Sequence, residues 1–91
     1  MQQSMIVSDD IKVKVKLFAV YQEVFGTPEL DLSFPAATSV KNVLLFLTEQ
    51  KPQLAKWQEV TRFGVNLQFV PADTVLQDGD EVVLIPPVSG G

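Results

Sequence analysis

The sequence predicts an α+β roll, a mixed sheet with one face covered by one main helix. Three observations predict it. Residues 11–18, IKVKVKLF, alternate strictly between apolar and charged side chains until the last position. Residues 40–47 carry apolar side chains at helical spacing. Two further strand-like stretches, 62–70 and 81–85, follow that helix with turn residues between them. A single principal helix covers only one face of such a sheet, so the other face must meet water or a partner.

In the first strand Ile11, Val13, Val15 and Leu17 share one face and Lys12, Lys14 and Lys16 the other, the period of a half-buried strand. Phe18 falls on the lysine face. The stretch AVYQEVFG follows as a short helix stopped by Gly26, with Pro28 just beyond. Residues 29–34, ELDLSF, alternate again and give the first strand an antiparallel neighbour through a connection longer than a hairpin. Pro35 ends that strand, and Thr38 or Ser39 offers an N-cap. Val40, Val43, Leu44 and Leu47 then recur at i, i+3, i+4 and i+7, one apolar stripe of a helix. Leu45 and Phe46 widen the stripe and predict deep burial. Pro52 closes the helix and opens a further helical turn through Leu54, Ala55 and Trp57. RFGVNLQFV, 62–70, reads as one strand, with Phe63, Val65, Leu67 and Phe69 on one parity. Trp57, Phe46 and Phe63 read as core. Asp78-Gly79-Asp80 makes a tight turn that needs positive φ, and residues 81–85 form the last strand.

Composition narrows the function classes. With 46% apolar and 20% charged residues, the 91-residue chain is one folded domain. It has no cysteine and no histidine, which removes disulfides, thiolate metal sites and a cysteine nucleophile. The carboxylates do not cluster with ligand spacing, so neither a metal nor a bound cofactor is expected. Asp78 and Asp80 read as turn chemistry. A net charge of −4 argues against a nucleic-acid partner. The chain carries no apolar run of membrane-spanning length, and MQQSMIVSDD lacks the features of a signal peptide, so the expected location is cytoplasmic. Residues 1–10 read as a flexible extension, 11–85 as the folded domain and 86–91 as an extended tail.

Two features carry chemistry. The first is a patch. If Val82 and Leu84 face the helix, Ile85 points outward, and Phe69 and Phe18 can sit beside it. Exposed aromatic clusters often mark partner sites. In the plainer reading some of these three complete the core. The lysine row likewise has two readings, an attractor for an acidic partner or phosphate and a solvated face that discourages edge pairing. The second feature is the tail, Pro86-Pro87-Val88-Ser89-Gly90-Gly91. Tandem proline favours an extended path, and Ser-Gly-Gly has almost no bulk. Extended, it reaches about 20 Å at ~3.3 Å per residue, slim enough for a narrow channel. The useful group at its tip is the α-carboxylate of Gly91, inert until activated, with an unhindered acyl carbon. The plainer reading is an ordinary flexible terminus.

The strand order, "KVKLFA" at 14–19, "GVN" at 64–66, "DGDEV" at 78–82 and "PPVSGG" at 86–91 together resemble the sulfur-carrier small subunits of molybdopterin synthase, a β-grasp (ubiquitin-like) family. The resemblance covers about residues 11–91. It implies that an adenylyltransferase related to ubiquitin-activating enzymes uses ATP to adenylate Gly91, with Gly90 keeping the tail slim. Sulfur from a donor protein then makes a Gly91 thiocarboxylate. The carrier docks on the large subunit of the synthase through an apolar patch, here Phe18, Phe69 and Ile85. Residues Pro86, Pro87, Val88 and Ser89 lead the tail into the large subunit's active site, where sulfur passes to a cyclic pyranopterin monophosphate precursor in molybdenum cofactor biosynthesis. The family's assembly is a heterotetramer, and catalytic side chains are expected on the large subunit. Other readings are a sulfur carrier for thiamine thiazole synthesis, a ubiquitin-like protein modifier, and a β-grasp interaction module with an inert tail.

Overall fold

The computed structural model describes residues 10–87. The expected extension falls almost wholly, and the tail from Val88 to Gly91 wholly, outside the described residues. The elements are β1 (Ile11–Leu17), α1 (Val20–Phe25), β2 (Glu29–Phe34), α2 (Val40–Gln50), a 3-10 helix (Pro52–Trp57), β3 (Arg62–Val65), β4 (Gln68–Val70) and β5 (Glu81–Ile85). The strands form one mixed sheet of order β2-β1-β5-β3-β4. This is the expected α+β roll.

The alternation in β1 becomes burial directly. Ile11, Val13, Val15 and Leu17 join Val40, Val43, Leu44 and Leu47 of α2, and Val82 and Leu84 of β5, in one core. Phe63 and Val65 extend that core. Phe46 and Trp57 pack partly buried against it, and the Phe46 ring meets Phe34 edge-to-face at 5.5 Å. Leu45 departs from the expected wide stripe and is exposed. It lies on the flank of α2, and α2 contacts the sheet through a narrower face than the sequence implies.

Two further expectations are corrected. The stretch 62–70 is two strands, because Val65 pairs with Gln68 and Phe63 with Val70 across a two-residue turn. Asn66 (φ 51°) and Leu67 (φ 72°) occupy that turn, the paired positive φ of a type I′ hairpin. The parity therefore breaks after Val65. Ser39 occupies the N-cap position of α2, yet its side chain makes no capping hydrogen bond. Backbone carbonyls replace it: the Val40 N–H donates to Thr74 O at 2.8 Å and the Lys41 N–H to Ala72 O at 3.0 Å. The loop after β4 thus satisfies the helix start. Thr38 turns back instead, its hydroxyl donating to Pro35 O.

The start of β5 is locked on both sides. The Lys12 N–H donates to Asp78 Oδ1 at 2.8 Å, and the Gly79 N–H donates to Lys12 O at 2.7 Å. Asn66 Nδ2 donates to Asp80 Oδ1 at 2.8 Å, and the Glu81 N–H donates to Asn66 Oδ1 at 3.0 Å. The other Asp80 oxygen accepts from the Gln77 N–H. Gly79 has φ +88°, and a Cβ there would meet open space, so its backbone conformation alone calls for glycine.

Leu84 is fully buried, so Leu84→Ala should cost about 2–5 kcal/mol in equilibrium denaturation. The charged half of the open face predicts a pH effect. Glu29 receives Lys14 and Lys16, each at 3.1 Å. Hydrogen bonds from Lys14 and then Lys16 hold its carboxyl below the usual value of 4.5. A depressed folded-state pKa gives stability that is present above 4.5 and lost as pH falls through the folded value. On acidification the melting temperature of the native chain should therefore fall more than that of Glu29→Gln, by a margin that added salt shrinks.

Candidate functional site

The sheet topology decides where the outward side chains go. β5 runs parallel to β1, with Lys14 opposite Glu81 and Leu17 opposite Leu84. Both strands therefore end at the same edge of the sheet. Phe18 follows β1 directly, and Ile85 closes β5 before Pro86-Pro87. β3 is antiparallel to β5, with Gly64 opposite Val83, and Phe69 lies opposite Gly64 across the hairpin. Phe18, Val83, Ile85, Gly64 and Phe69 consequently share the face that α2 leaves open.

That face has two halves. Near β2 it is charged and self-neutralised. Glu29 bridges Lys14 and Lys16, and Lys16 also reaches Glu81 at 3.6 Å. The expected lysine row is thus largely engaged within the chain rather than presented as a bare cationic strip. Towards β4 the face is apolar. Phe18, Leu67, Phe69, Val83 and Ile85, with Gly64 and Gln68, line a shallow depression of about 290 Å³. Phe69 is 75% exposed and Phe18 49% exposed, while Ile85 is half-buried. The three candidate patch residues are therefore brought together outside the core. Gly64 keeps the floor low, since a Cβ there would stand 3.5 Å from Val83 Cβ.

Strained backbone flanks this depression. Ala19 has φ 52° and ψ −123°, and the Tyr21 N–H donates to Phe18 O at 3.0 Å. This is the geometry of a tight turn whose second residue is ordinarily glycine. It swings the chain into α1 immediately after Phe18. Leu67 is the second strained position, again where glycine is the usual choice. Non-glycine residues in such conformations tend to gather at functional sites.

The root of the tail is anchored. Pro86 is buried and Pro87 exposed. Together with Glu59, Val60, Thr61, Arg62 and Ile85 they line a groove beside the end of β5. Pro86 was a candidate partner contact; its burial makes it instead the residue that seats the tail on its own domain. Thr61 is fixed from both sides: its hydroxyl donates to Trp57 O at 2.8 Å and accepts from the buried Tyr21 hydroxyl. Burial raises the Tyr21 pKa against the opposing pull of that hydrogen bond. Val88, Ser89, Gly90 and Gly91 lie outside the described residues. Sequence reasoning missed Leu67, Tyr21 and Thr61. Asn66, a residue at home in positive φ, was the available signal for the hairpin.

Among the described residues no group of three or more His, Cys, Asp or Glu side chains could hold a metal ion, and no helix is long and apolar enough to cross a membrane. What the arrangement offers is a contact surface beside a proline-rooted tail.

Comparison with known proteins bears on that surface. The ThiS family model matches residues 15–91. The molybdopterin synthase sulfur carrier subunit of Arabidopsis thaliana is 33% identical, over 94% of this chain and 93% of its own length. The solution structure of small archaeal modifier protein 1 from Methanosarcina acetivorans is 37% identical, with a TM-score of 0.71 over 90% of this chain and 98% of that one. A complex of subunits 1 and 2 of molybdopterin-converting factor from Helicobacter pylori contains a chain 28% identical, with a TM-score of 0.57 over 89% of this chain and all of that one. The fold is a ubiquitin-like β-grasp.

Because Phe18 and Phe69 are exposed, Phe18→Lys and Phe69→Lys should each lower stability by less than about 1 kcal/mol. Thermal unfolding of both variants beside Leu84→Ala checks this. A loss at Phe18 as large as that at Leu84 would make Phe18 part of the core.

Proposed function

Since this chain belongs to the ThiS family and has molybdopterin synthase sulfur carriers among its relatives, we propose that it is the sulfur-carrier subunit of a molybdopterin synthase. The observation that carries the reading is the parallel pairing of β1 with β5, which sets the apolar depression and the root of the tail at one edge of the sheet. A partner that covers Phe18, Phe69 and Ile85 lies beside the point where the tail departs. Docking and delivery then become one geometric event, and the tail starts from a fixed origin, which lowers the entropic cost of finding the partner's channel.

The chemistry falls on Gly91. Its carboxylate oxygen attacks the α-phosphorus of ATP on an activating enzyme and expels pyrophosphate. Sulfide released from a donor protein attacks the acyl carbon and expels AMP, leaving a thiocarboxylate. On the large subunit this sulfur passes to a cyclic pyranopterin monophosphate, and water restores the carboxylate. This chain supplies the acyl group, the slim Gly90-Gly91 tip and the docking face. Proton transfers fall to side chains of the large subunit, and ATP is consumed by the activating enzyme. The subunit 1–subunit 2 complex of the Helicobacter pylori converting factor supports a large-subunit partner.

A second reading has its own observation, the likeness to small archaeal modifier protein 1. In that reading activated Gly91 joins lysine side chains through an isopeptide bond. Intact mass after incubation with ATP, the activating enzyme and a sulfur source should rise by the replacement of one oxygen with sulfur, mapped to the Gly91 peptide. Adding one residue after Gly91 should abolish the shift without lowering the melting temperature. Lysine adducts through Gly91 in place of the shift would favour the modifier. An unchanged mass, with the activating enzyme shown active on another carrier, would overturn both readings.

A further inference from the structure

Leu67 is the most exposed large apolar side chain among the described residues, at 91%. It also holds a φ of 72°, a region that costs leucine backbone strain and that asparagine or glycine adopts readily. Folding explains neither property. The side chain buries almost nothing in its own domain, and the residue best suited to the second position of a type I′ turn is glycine. Both penalties fall on the rim of the depression that Phe18, Phe69 and Ile85 line.

The geometry around Leu67 is fixed. Asn66, its neighbour in the turn, accepts from the Glu81 N–H at 3.0 Å, donates to Asp80 at 2.8 Å, and donates its own N–H to Glu81 O at 2.9 Å. The turn is therefore tied to the start of β5. Leu67 is carried as a rigid projection at the corner of the apolar half-face, with Phe69 two residues on.

We propose that Leu67 is a specificity-determining contact for the large subunit, an apolar knob that extends the docking patch past Phe69 and enters an apolar recess on that partner. This rests on the reading of the open face as the large subunit's docking surface. Its position is continuous with that surface, its chemistry is wholly aliphatic, and the turn that presents it is pre-organised, so little ordering remains at association. The knob sits at the far side of the patch from the tail root, so it fixes the angle at which the carrier sits.

The test is Leu67→Asn, with binding to the purified large subunit measured by calorimetry and stability measured by thermal unfolding. Asparagine suits the turn's backbone, so the melting temperature should hold or rise, by up to about 4–8 °C. Binding should weaken about 10- to 100-fold, the loss of one buried leucine from an interface. Leu67→Met, which keeps an apolar side chain, should restore most of the affinity. Phe18→Lys runs beside them. If Phe18→Lys weakens binding and Leu67→Asn does not, the Leu67 inference falls and the docking face stands. If neither weakens binding, the docking face itself falls. If Leu67→Asn slows adenylation by the activating enzyme while large-subunit affinity is unchanged, the knob serves the other partner and the inference as stated is overturned.

Discussion

The structure depends on one insertion: β5, last in the chain, enters the sheet between β1 and β3, parallel to the first and antiparallel to the second. A parallel partner for the first strand must come from far along the sequence, and its register is set by polar locks. Asp78 and Gly79 fasten the approach to Lys12 of β1. Asp80 and Asn66 fasten it to the β3–β4 turn. Once β5 is in register, Val82 and Leu84 close the core against α2, and everything with the opposite parity is turned outward. A slip by one residue would exchange the two faces, burying Glu81 and exposing Leu84.

The same insertion explains the division of the open face. Where β5 starts, Glu81 meets the lysines of β1 and the surface is ion-paired. Where β5 ends, Val83 and Ile85 meet Phe18 and Phe69 and the surface is apolar. The tail leaves from the apolar end because β5 ends there, with Pro86 buried as its anchor. The ion pairs lie in water and add little stability; they keep the charged half from competing as a second sticky surface. Two of the strained positions, Ala19 after Phe18 and Leu67 on the opposite rim, flank the apolar depression, and a third, Ala37, lies in the loop between β2 and α2.

Much of this was legible in the sequence because alternation and helical spacing report burial directly. IKVKVKL and the stripe of α2 gave the core face, and the parity of Val82 and Leu84 against Ile85 gave the open one. The β3–β4 hairpin was hidden because Leu67 stands where a glycine would have announced a turn; without it, Phe63 to Phe69 mimics a continuous strand. The missing side-chain cap at Ser39 was hidden for another reason: the carbonyls of Ala72 and Thr74 arrive from more than thirty residues away, and no local pattern encodes them. Tyr21 and Thr61 are likewise a long-range pair. Pro86 reads in the sequence as a stiffener of the tail, while its burial depends on the packing of residues 59–62 beside it.

In the proposed function, docking through the apolar half-face and delivery by the tail are a single event. The most direct measurement is single-turnover sulfur transfer from the Gly91-thiocarboxylated chain to the pterin precursor on the large subunit, followed by mass, at rising large-subunit concentration. The native chain should lose its sulfur as the pterin gains it. A chain with a charged docking face should transfer only at much higher large-subunit concentration, reaching the same final rate. Equal transfer by both chains at low concentration, or a fully formed complex in which sulfur stays on Gly91, would contradict it.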